Sequence, residues 1–536
     1  MKKFSTAVCI AAAAVLLLSG CGGSGNSDSA PAATTAAAVS EAAQAAPSAE
    51  TQAAAADSGK TAKSEFVIAL QSEPASLDPH KTTDTSGFIV ETQIFNSLVE
   101  KKEDGTIVPC LASSWEVVDS VTVRFTLRDD VYFQNGEKMT AEDVQYSLVR
   151  ACTESGSASH FKNLDPEKIT VVDDKTVEVV TKKPFSSLFN YLSSTRGSIL
   201  PKKAVEEMGD DFARNPIGTG AFMMDSWETG TAIKLAKNDK FWGEAPSYND
   251  LKIRFISEAA TRSIELETGM VDAIFNPATV DTDRMKGDDN FNVIIGPGYG
   301  QMQALFNLSN PAIQDIRVRE ALAYALDVPA LVKVVYGEYA VPATSVMSSA
   351  IACYHEIGVQ EYDPEKSKAL LAEAGYPDGL TLDLNIMNTQ EAQDTAEILQ
   401  SMWGQVGITV NINMSSAGDF IDSCFRGETT LMASAASFAT GDPAHALSDY
   451  VVSNSGALCL PQDTKVDEMV DEAALTFDET ERAAKYAEIQ EYIHDQYYMI
   501  PLADKEVVYI TGKNVEDFPC YANGLPYLAN VKVYEK

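Results

Sequence analysis

Two lysines, Lys2 and Lys3, stand before the apolar run AVCIAAAAVLLL, Ala7 to Leu18. At about a dozen residues this run is too short to span a bilayer as a stable helix, but it has the layout of an export signal. A chain with this start is expected to fold outside the cytoplasm. From Gly22 to about Ser64 the sequence is Ala, Ser, Gly, Thr, Gln and Pro with almost no large apolar residue. Such a segment cannot bury enough surface to offset its ordering entropy, so it reads as a tether. Folded structure is expected to begin at Glu65-Phe66-Val67-Ile68-Ala69-Leu70, a short buried strand.

The signal ends in Leu18-Ser19-Gly20-Cys21, which resembles the bacterial lipobox. Small residues before the cysteine fit a signal peptidase, and the Cys21 thiol is the atom that becomes lipidated. An ordinary secretory signal with an incidental cysteine is the alternative. Charge adds an exclusion. With 77 acidic and 41 basic residues the formal net charge is -36, a field that repels nucleic acid and anionic lipid. It serves solubility, with a modest bias toward cationic or zwitterionic solutes as the sharper reading. At 536 residues the chain is too long for one core, and two or more lobes are expected.

Periodicity points to α/β lobes. Thr122 to Leu127 and Lys175 to Val180 alternate as strands, and Thr140 opens a helix with Val144, Leu148 and Val149 on one face. Val318, Leu322, Ala325 and Leu326 keep helical spacing. Asp363-Pro364 reads as an N-cap with proline at the first helical position, and that helix ends at Gly375. A helix from Glu391 to Val406 leads into the strand Ile408 to Ile412. Helices followed by strands suggest largely parallel sheets. Six cysteines remain beyond Cys9 and Cys21, with no C-x-x-C spacing. Cys424 with Cys459 is the favoured disulfide, and free buried thiols stay open as the alternative.

Catalytic patterns are missing: no G-x-S-x-G elbow, no H-E-x-x-H and no Walker loop. Gly218-x-Gly220 and Gly296-x-Gly298 lack the third glycine of a dinucleotide fold and read as turns. Asp281 to Asn292 departs from a calcium loop at its glycine and its last ligand. The five histidines are scattered, so no metal or cofactor is implied and an enzyme is not expected.

Seven segments, read in order, resemble the peptide/nickel class of extracellular solute-binding proteins, the dipeptide- and oligopeptide-binding family of ABC importers. They are PASLDPH (from Pro74), IFNSLVEKKEDGTIVPCLASSWEV (Ile94), FTLRDDVYFQNGEKMTAEDVQYSL (Phe125), NPIGTGAF (Asn215), ETGMVDA (Glu267), DIRVREALAYALD (Asp315) and LLAEAGYPDG (Leu370). The resemblance covers about Glu65 to Lys536. It implies a bilobal, type II periplasmic-binding-protein fold with an extra subdomain. Lobe I would run over 65–303 with the subdomain at about 105–210, lobe II over 304–499, and 500–536 would complete lobe I. Hinge crossings would fall near Gln303–Asn307 and Met499–Leu502. The lobes would close over a solute, and the partner would be the permease of an importer. The chain is expected as a monomer on the outer face of the cell membrane, touching the bilayer only through its lipid.

In peptide-binding members two extended segments pair with the ligand backbone. The matching positions are Thr83, Asp84 and Thr85 on one side and Ala435, Ala436 and Ser437 on the other, with Gln301, Gln303 and Asn388 as further candidates. Two departures bear on the ligand. The aspartate that pairs with a peptide's α-amine is Ala439 here, and the carboxylate-binding arginine expected near Asn388 is replaced by Gln393 and Asp394. Asp84 could substitute as the amine anchor, while Asp442 reads as the N-cap of a helix over Pro443 to Tyr450. The pocket is expected to be roomy and weakly charged. Three readings follow: a peptide receptor with another anchor; the same importer role for a glycan, modified amino compound or metal chelate; or a secreted hydrolase or adhesin.

Overall fold

In the computed structural model, the described residues are 60–436, 440–448, 450–453 and 463–536. Cys21, the tether to residue 59, Ser437, Ala439 and Cys459 lie outside them. Two long strands, Phe291–Phe306 and Met499–Gly512, run side by side and antiparallel through an eleven-stranded sheet. On one flank follow Ala273–Phe275, Glu65–Leu70, Asp250–Phe255, Ala232–Lys237 and Phe222–Glu228. On the other are Leu431–Ala436, Leu380–Met387 and Ile408–Ser415.

The expectation of largely parallel sheets is corrected. Glu65–Leu70 is parallel to both of its neighbours, and so is Leu380–Met387. The remaining pairs of this sheet are antiparallel. The reason is local on one flank: a tight turn with Gly230 at φ +74° joins Phe222–Glu228 to Ala232–Lys237, and a hairpin can only be antiparallel. A separate four-stranded sheet, from Ala112–Val117 to Thr170–Asp173, is antiparallel throughout.

Separate hydrophobic cores flank these sheets. Phe66, Phe222, Tyr248, Ile253 and Tyr509 share one core with Leu528 and Val531, so residues near the C-terminus pack in the same core as the first strand. Phe125, Leu148, Phe161 and Val177 form the core of the four-stranded subdomain. Phe306, Leu322, Leu384, Trp403 and Leu502 form another, and Phe420, Met432, Leu447 and Tyr486 a fourth. Trp403 is fully buried and its indole N–H donates to the Leu322 carbonyl at 2.9 Å, so its polar atom is satisfied inside the core.

Local chemistry explains the element ends. Thr140 and Asp143 form a reciprocal capping box at the start of Ala141–Ala151. Asp363 caps Pro364–Glu373, and Gly375 just beyond it adopts φ +94°. The Val318 helix spans Ile316–Tyr324 and the Glu391 helix spans Gln390–Gln405. Cys424 is buried with its sulfur 3.3 Å from that of Met432. The five described cysteines beyond the signal are free thiols.

Candidate functional site

The long strands lose register where they pass between the cores. Shifts occur between Pro297 and Gln301 and between Met302 and Gln303. A Cβ at Gly298 would meet the Lys505 carbonyl oxygen at 2.5 Å, so only glycine allows this approach. Just past the break, Gln301 and Gln303 are fully buried. Gln301 Nε2 donates to Asp504 Oδ1 at 2.7 Å and to the Ser345 carbonyl at 3.1 Å. Gln303 Nε2 donates to Gln301 Oε1 at 2.6 Å. Burial raises the Asp504 pKa against the hydrogen bonds from Gln301 and Ser349. These hydrogen bonds tie the two long strands to each other and to the 345–349 segment.

Beside the crossing lies Leu431–Ala436. Its residues 431 to 433 pair with Leu380–Met387 on one side and with the first long strand on the other. Ser434, Ala435 and Ala436 pair only with Gln303, Met302 and Gln301 among the described strands. Their opposite edge carries no described strand.

The chain then reaches Thr440-Gly441-Asp442, which bridges two cores. Asp442 is fully buried; its Oδ1 accepts from Ser187 Oγ at 2.8 Å and from the Ala444 amide at 2.9 Å. Its Oδ2 accepts from Asn190 Nδ2 at 3.0 Å and from Arg482 Nη2 at 2.9 Å. Ser187 and Asn190 belong to the subdomain, Arg482 to the Glu479–Asp495 helix. Burial works against the guanidinium charge, yet Asp442, with Tyr486 and Cys353, holds the Arg482 pKa above its ordinary value. Gly441 has φ +60°, and the Tyr299 ring occupies the place of its missing side chain. The Asp442 side chain does cap the helix after it, here Pro443–Ser448, but it also joins the bodies.

Other contacts cross at the same place. Lys101 Nζ donates to the Thr440 carbonyl at 2.8 Å, Ser186 N to the Ala474 carbonyl at 3.0 Å, and Lys183 pairs with Asp471 at 2.6 Å. The His160 and His445 rings, far apart in sequence, stand 4.7 Å apart here. Among the described residues no group of three His, Cys, Asp or Glu side chains is arranged to hold a metal.

A cavity of about 320 Å³ opens beside this bridge. Thr440 and Lys101 form part of its wall, with Asn96, Asn190, Trp242 and Tyr527. Amide and hydroxyl groups, aromatic rings and a few charged side chains make up a lining that can hydrogen-bond and stack a small polar molecule. Burial holds the Lys101 pKa below the ordinary lysine value, against the pull of Asp442.

The structure brings Gln301, Gln303, Ala435 and Ala436 together on adjacent strands. Thr83 and Thr85 are exposed at the start of Thr85–Ile94, and Asn388 is exposed with its amide on the Ser415 carbonyl. Asp84 caps that first helix: Oδ1 accepts from the Gly87 amide at 2.9 Å and Oδ2 from the Ala75 amide at 3.3 Å. The PASLDPH motif is structural. Asp78 makes a two-pronged pair with Arg150 at 2.6 and 2.9 Å, tying the first loop to the subdomain helix. Sequence reasoning missed Arg482, Asn190, Lys101 and the cavity, because residues hundreds of positions apart meet there with no spacing signal.

The profile described as "Bacterial extracellular solute-binding proteins, family 5 Middle" matches residues 106–457. The glutathione-binding protein GsiB of Salmonella paratyphi A is 29% identical over 473 residues, covering 85% of this chain and 92% of its own. The solved structure of HbpA2 from Haemophilus parasuis is 26% identical with a TM-score of 0.77, over 88% of this chain and 100% of that one. AgaA from A. tumefaciens R10, solved with agropinic acid, is 25% identical with a TM-score of 0.77, over 88% and 99%. With its mixed α/β spine, separate cores and bridged crossing, the chain belongs to the family 5 bacterial extracellular solute-binding proteins; it is the binding component of an ABC importer and not an enzyme.

Proposed function

We propose that the protein is a lipid-anchored receptor that captures a peptide-like solute between two lobes and hands it to its permease. The observation that carries the peptide-like reading is the open edge of Ser434, Ala435 and Ala436, whose backbone groups can accept an extended ligand as an added strand. The likeness to a protein named for glutathione, over nearly the whole of both chains, supports the same reading. Thr83 and Thr85 are assigned to one wall and Ala435 and Ala436 to the opposing one, and the strand segments Gln303–Asn307 and Met499–Leu502 to the hinge. Cys21 is assigned as the lipidated residue. The working form is a monomer on the outer face of the membrane.

A thermal-shift screen with glutathione, short peptides, their N-acetylated forms, sugars and metal chelates tests the cargo. A solute at a hundredfold its dissociation constant adds about 2.7 kcal/mol to the folded state. Stabilisation by peptides and glutathione is expected, and scattering at saturation should show a smaller radius of gyration. Stabilisation by sugars or chelates alone would replace the peptide reading. A second reading, a modified amino compound, is favoured by Ala439 in place of the amine-pairing carboxylate and by a relative described with agropinic acid.

A further inference from the structure

Among the described residues, four charged side chains line the cavity: Glu100, Lys101, Lys102 and Glu244. Lys102 pairs with Glu100 at 2.8 Å, and Glu244 is exposed. Lys101 has no ion pair among the described residues. It is half-buried at the end of the Val99–Lys101 strand; its Nζ is 2.8 Å from the Thr440 carbonyl and 5.5 Å from the Tyr299 ring centre. An ammonium has three donors, and Thr440 takes one. The carboxylate that acts on Lys101 electrostatically, Asp442, already accepts from Arg482, Ser187, Asn190 and the Ala444 amide. Among the described residues only the Thr440 carbonyl accepts from this ammonium, which stands in the wall of the cavity of a protein whose net charge is -36.

We infer that Lys101 is the carboxylate anchor of the solute site, so that the protein selects solutes bearing a free carboxylate. The inference rests on the proposed capture of a solute in this cavity. A solute carboxylate there would make a charge-assisted hydrogen bond with an ammonium already held out of bulk water. It would also lie against the Lys101–Thr440 contact that joins the bodies, linking recognition of the acid to closure. The anchor comes from the Ile94–Val117 segment, not from the arginine position near Asn388, which explains why that position can hold Gln393 and Asp394.

Calorimetry on wild type, Lys101→Met, Lys101→Arg and the control Lys368→Met, an exposed lysine outside the cavity, tests this. The probes are glutathione and its diamide, Ala-Ala and its amide, and succinate. Wild type and Lys368→Met should bind glutathione and Ala-Ala ~10–100-fold more tightly than their amides, the range of a hydrogen bond to a charged group. Lys101→Met should lose that preference while still binding the amides, and Lys101→Arg should keep most of it. Equal binding of acid and amide by wild type would overturn the anchor and leave the peptide reading standing. An acid preference that survives in Lys101→Met would overturn the assignment to Lys101. Binding of succinate that depends on Lys101, with no binding of either peptide, would keep the anchor and remove the peptide reading. Absence of binding by any of the acids would overturn the anchor.

Discussion

Arg482 Nη2 lies 2.9 Å from Asp442 Oδ2, and the carboxylate of this pair is completely out of solvent while Ser187 and Asn190 reach it from the subdomain. A buried ion pair is weak evidence of stability, but removal of one partner leaves an uncompensated charge. Asp442→Ala is expected to cost about 3–5 kcal/mol, since it orphans Arg482 as well as two subdomain donors. The double variant Asp442→Ala with Arg482→Met should recover part of that loss. Urea unfolding of the singles and the double measures the coupling. Additive losses would mean that the pair does not act as a unit.

Glu91 gives a pH dependence whose sign can be worked out. It is fully buried in the Thr85–Ile94 helix, where it meets Thr82 Oγ1 and its other carboxylate oxygen has no partner among the described residues. Burial pushes its pKa up to about 8, against the Thr82 bond that lowers it and with Asp78 and Asp84 raising it further. The folded state therefore holds a proton that the unfolded chain releases near the ordinary glutamate value of ~4.3. Stability from this group is present in full below that value and is lost as pH rises to about 8. Glu91→Gln, which keeps the neutral shape, should stabilise the protein relative to wild type at pH 8 and much less at pH 4. Melting curves at both values decide it. An unchanged difference would place a charged Glu91 in the fold.

The element ends show where the sequence was legible. Asp363, Thr140 and Gly375 announce their roles because caps and turns are local chemistry, acting within about four residues. Strands such as Glu65–Leu70 and Thr122–Leu127 were readable for the same reason. Asp442 was readable only in its local half, as a cap to the next helix. Its other partners come from 252 to 255 residues upstream and 40 downstream, and no periodicity carries that information. Gln301 and Gln303 illustrate a subtler limit. The resemblance offered them only as candidate site residues; that they lie beside Ala435 and Ala436, with the Gln303 amide on Gln301, depends on a strand pairing and register shifts set by distant segments.

His80 acts in the opposite direction to Glu91. Burial lowers its pKa to about 3, aided by Arg150 and opposed by Asp78. The unfolded chain takes up a proton near ~6.5, so stability from this group is full above that value and falls as pH drops toward about 3. His80→Gln should flatten the acid limb of a stability–pH profile between pH 6 and 4. An acid limb of unchanged slope would assign the loss to other groups, with half-buried His160, its pKa also lowered by burial and by Arg196, the next to substitute.

Membrane attachment is predicted to depend on Cys21, whose thiol no neighbouring residue can supply. Cys21→Ala should move the protein from the membrane fraction into the soluble or secreted one. A variant held on membranes as firmly as wild type would end the lipid-anchor proposal.

The last prediction concerns the solute's amine. Ala439 follows the open strand edge at Ser434–Ala436 and precedes Thr440, whose carbonyl accepts from Lys101. An amine at one end of a peptide and a carboxylate at the other need opposite charges in the wall, and only the cationic anchor has been assigned. A methyl group cannot pair with an ammonium, so leaving that charge unpartnered in a closed cleft costs several kcal/mol by desolvation. Asp84 does not supply the missing charge freely, since both of its oxygens accept backbone amides at the head of its own helix. Ala439→Asp should therefore strengthen binding of a free-amine dipeptide over its N-acetylated form by ~10–100-fold relative to wild type. Calorimetry with one dipeptide in both forms reads this directly, and Asp84→Asn serves as the companion variant. If wild type already discriminates tenfold or more, and Asp84→Asn leaves that preference intact, another carboxylate holds the amine and Ala439 does not mark the site.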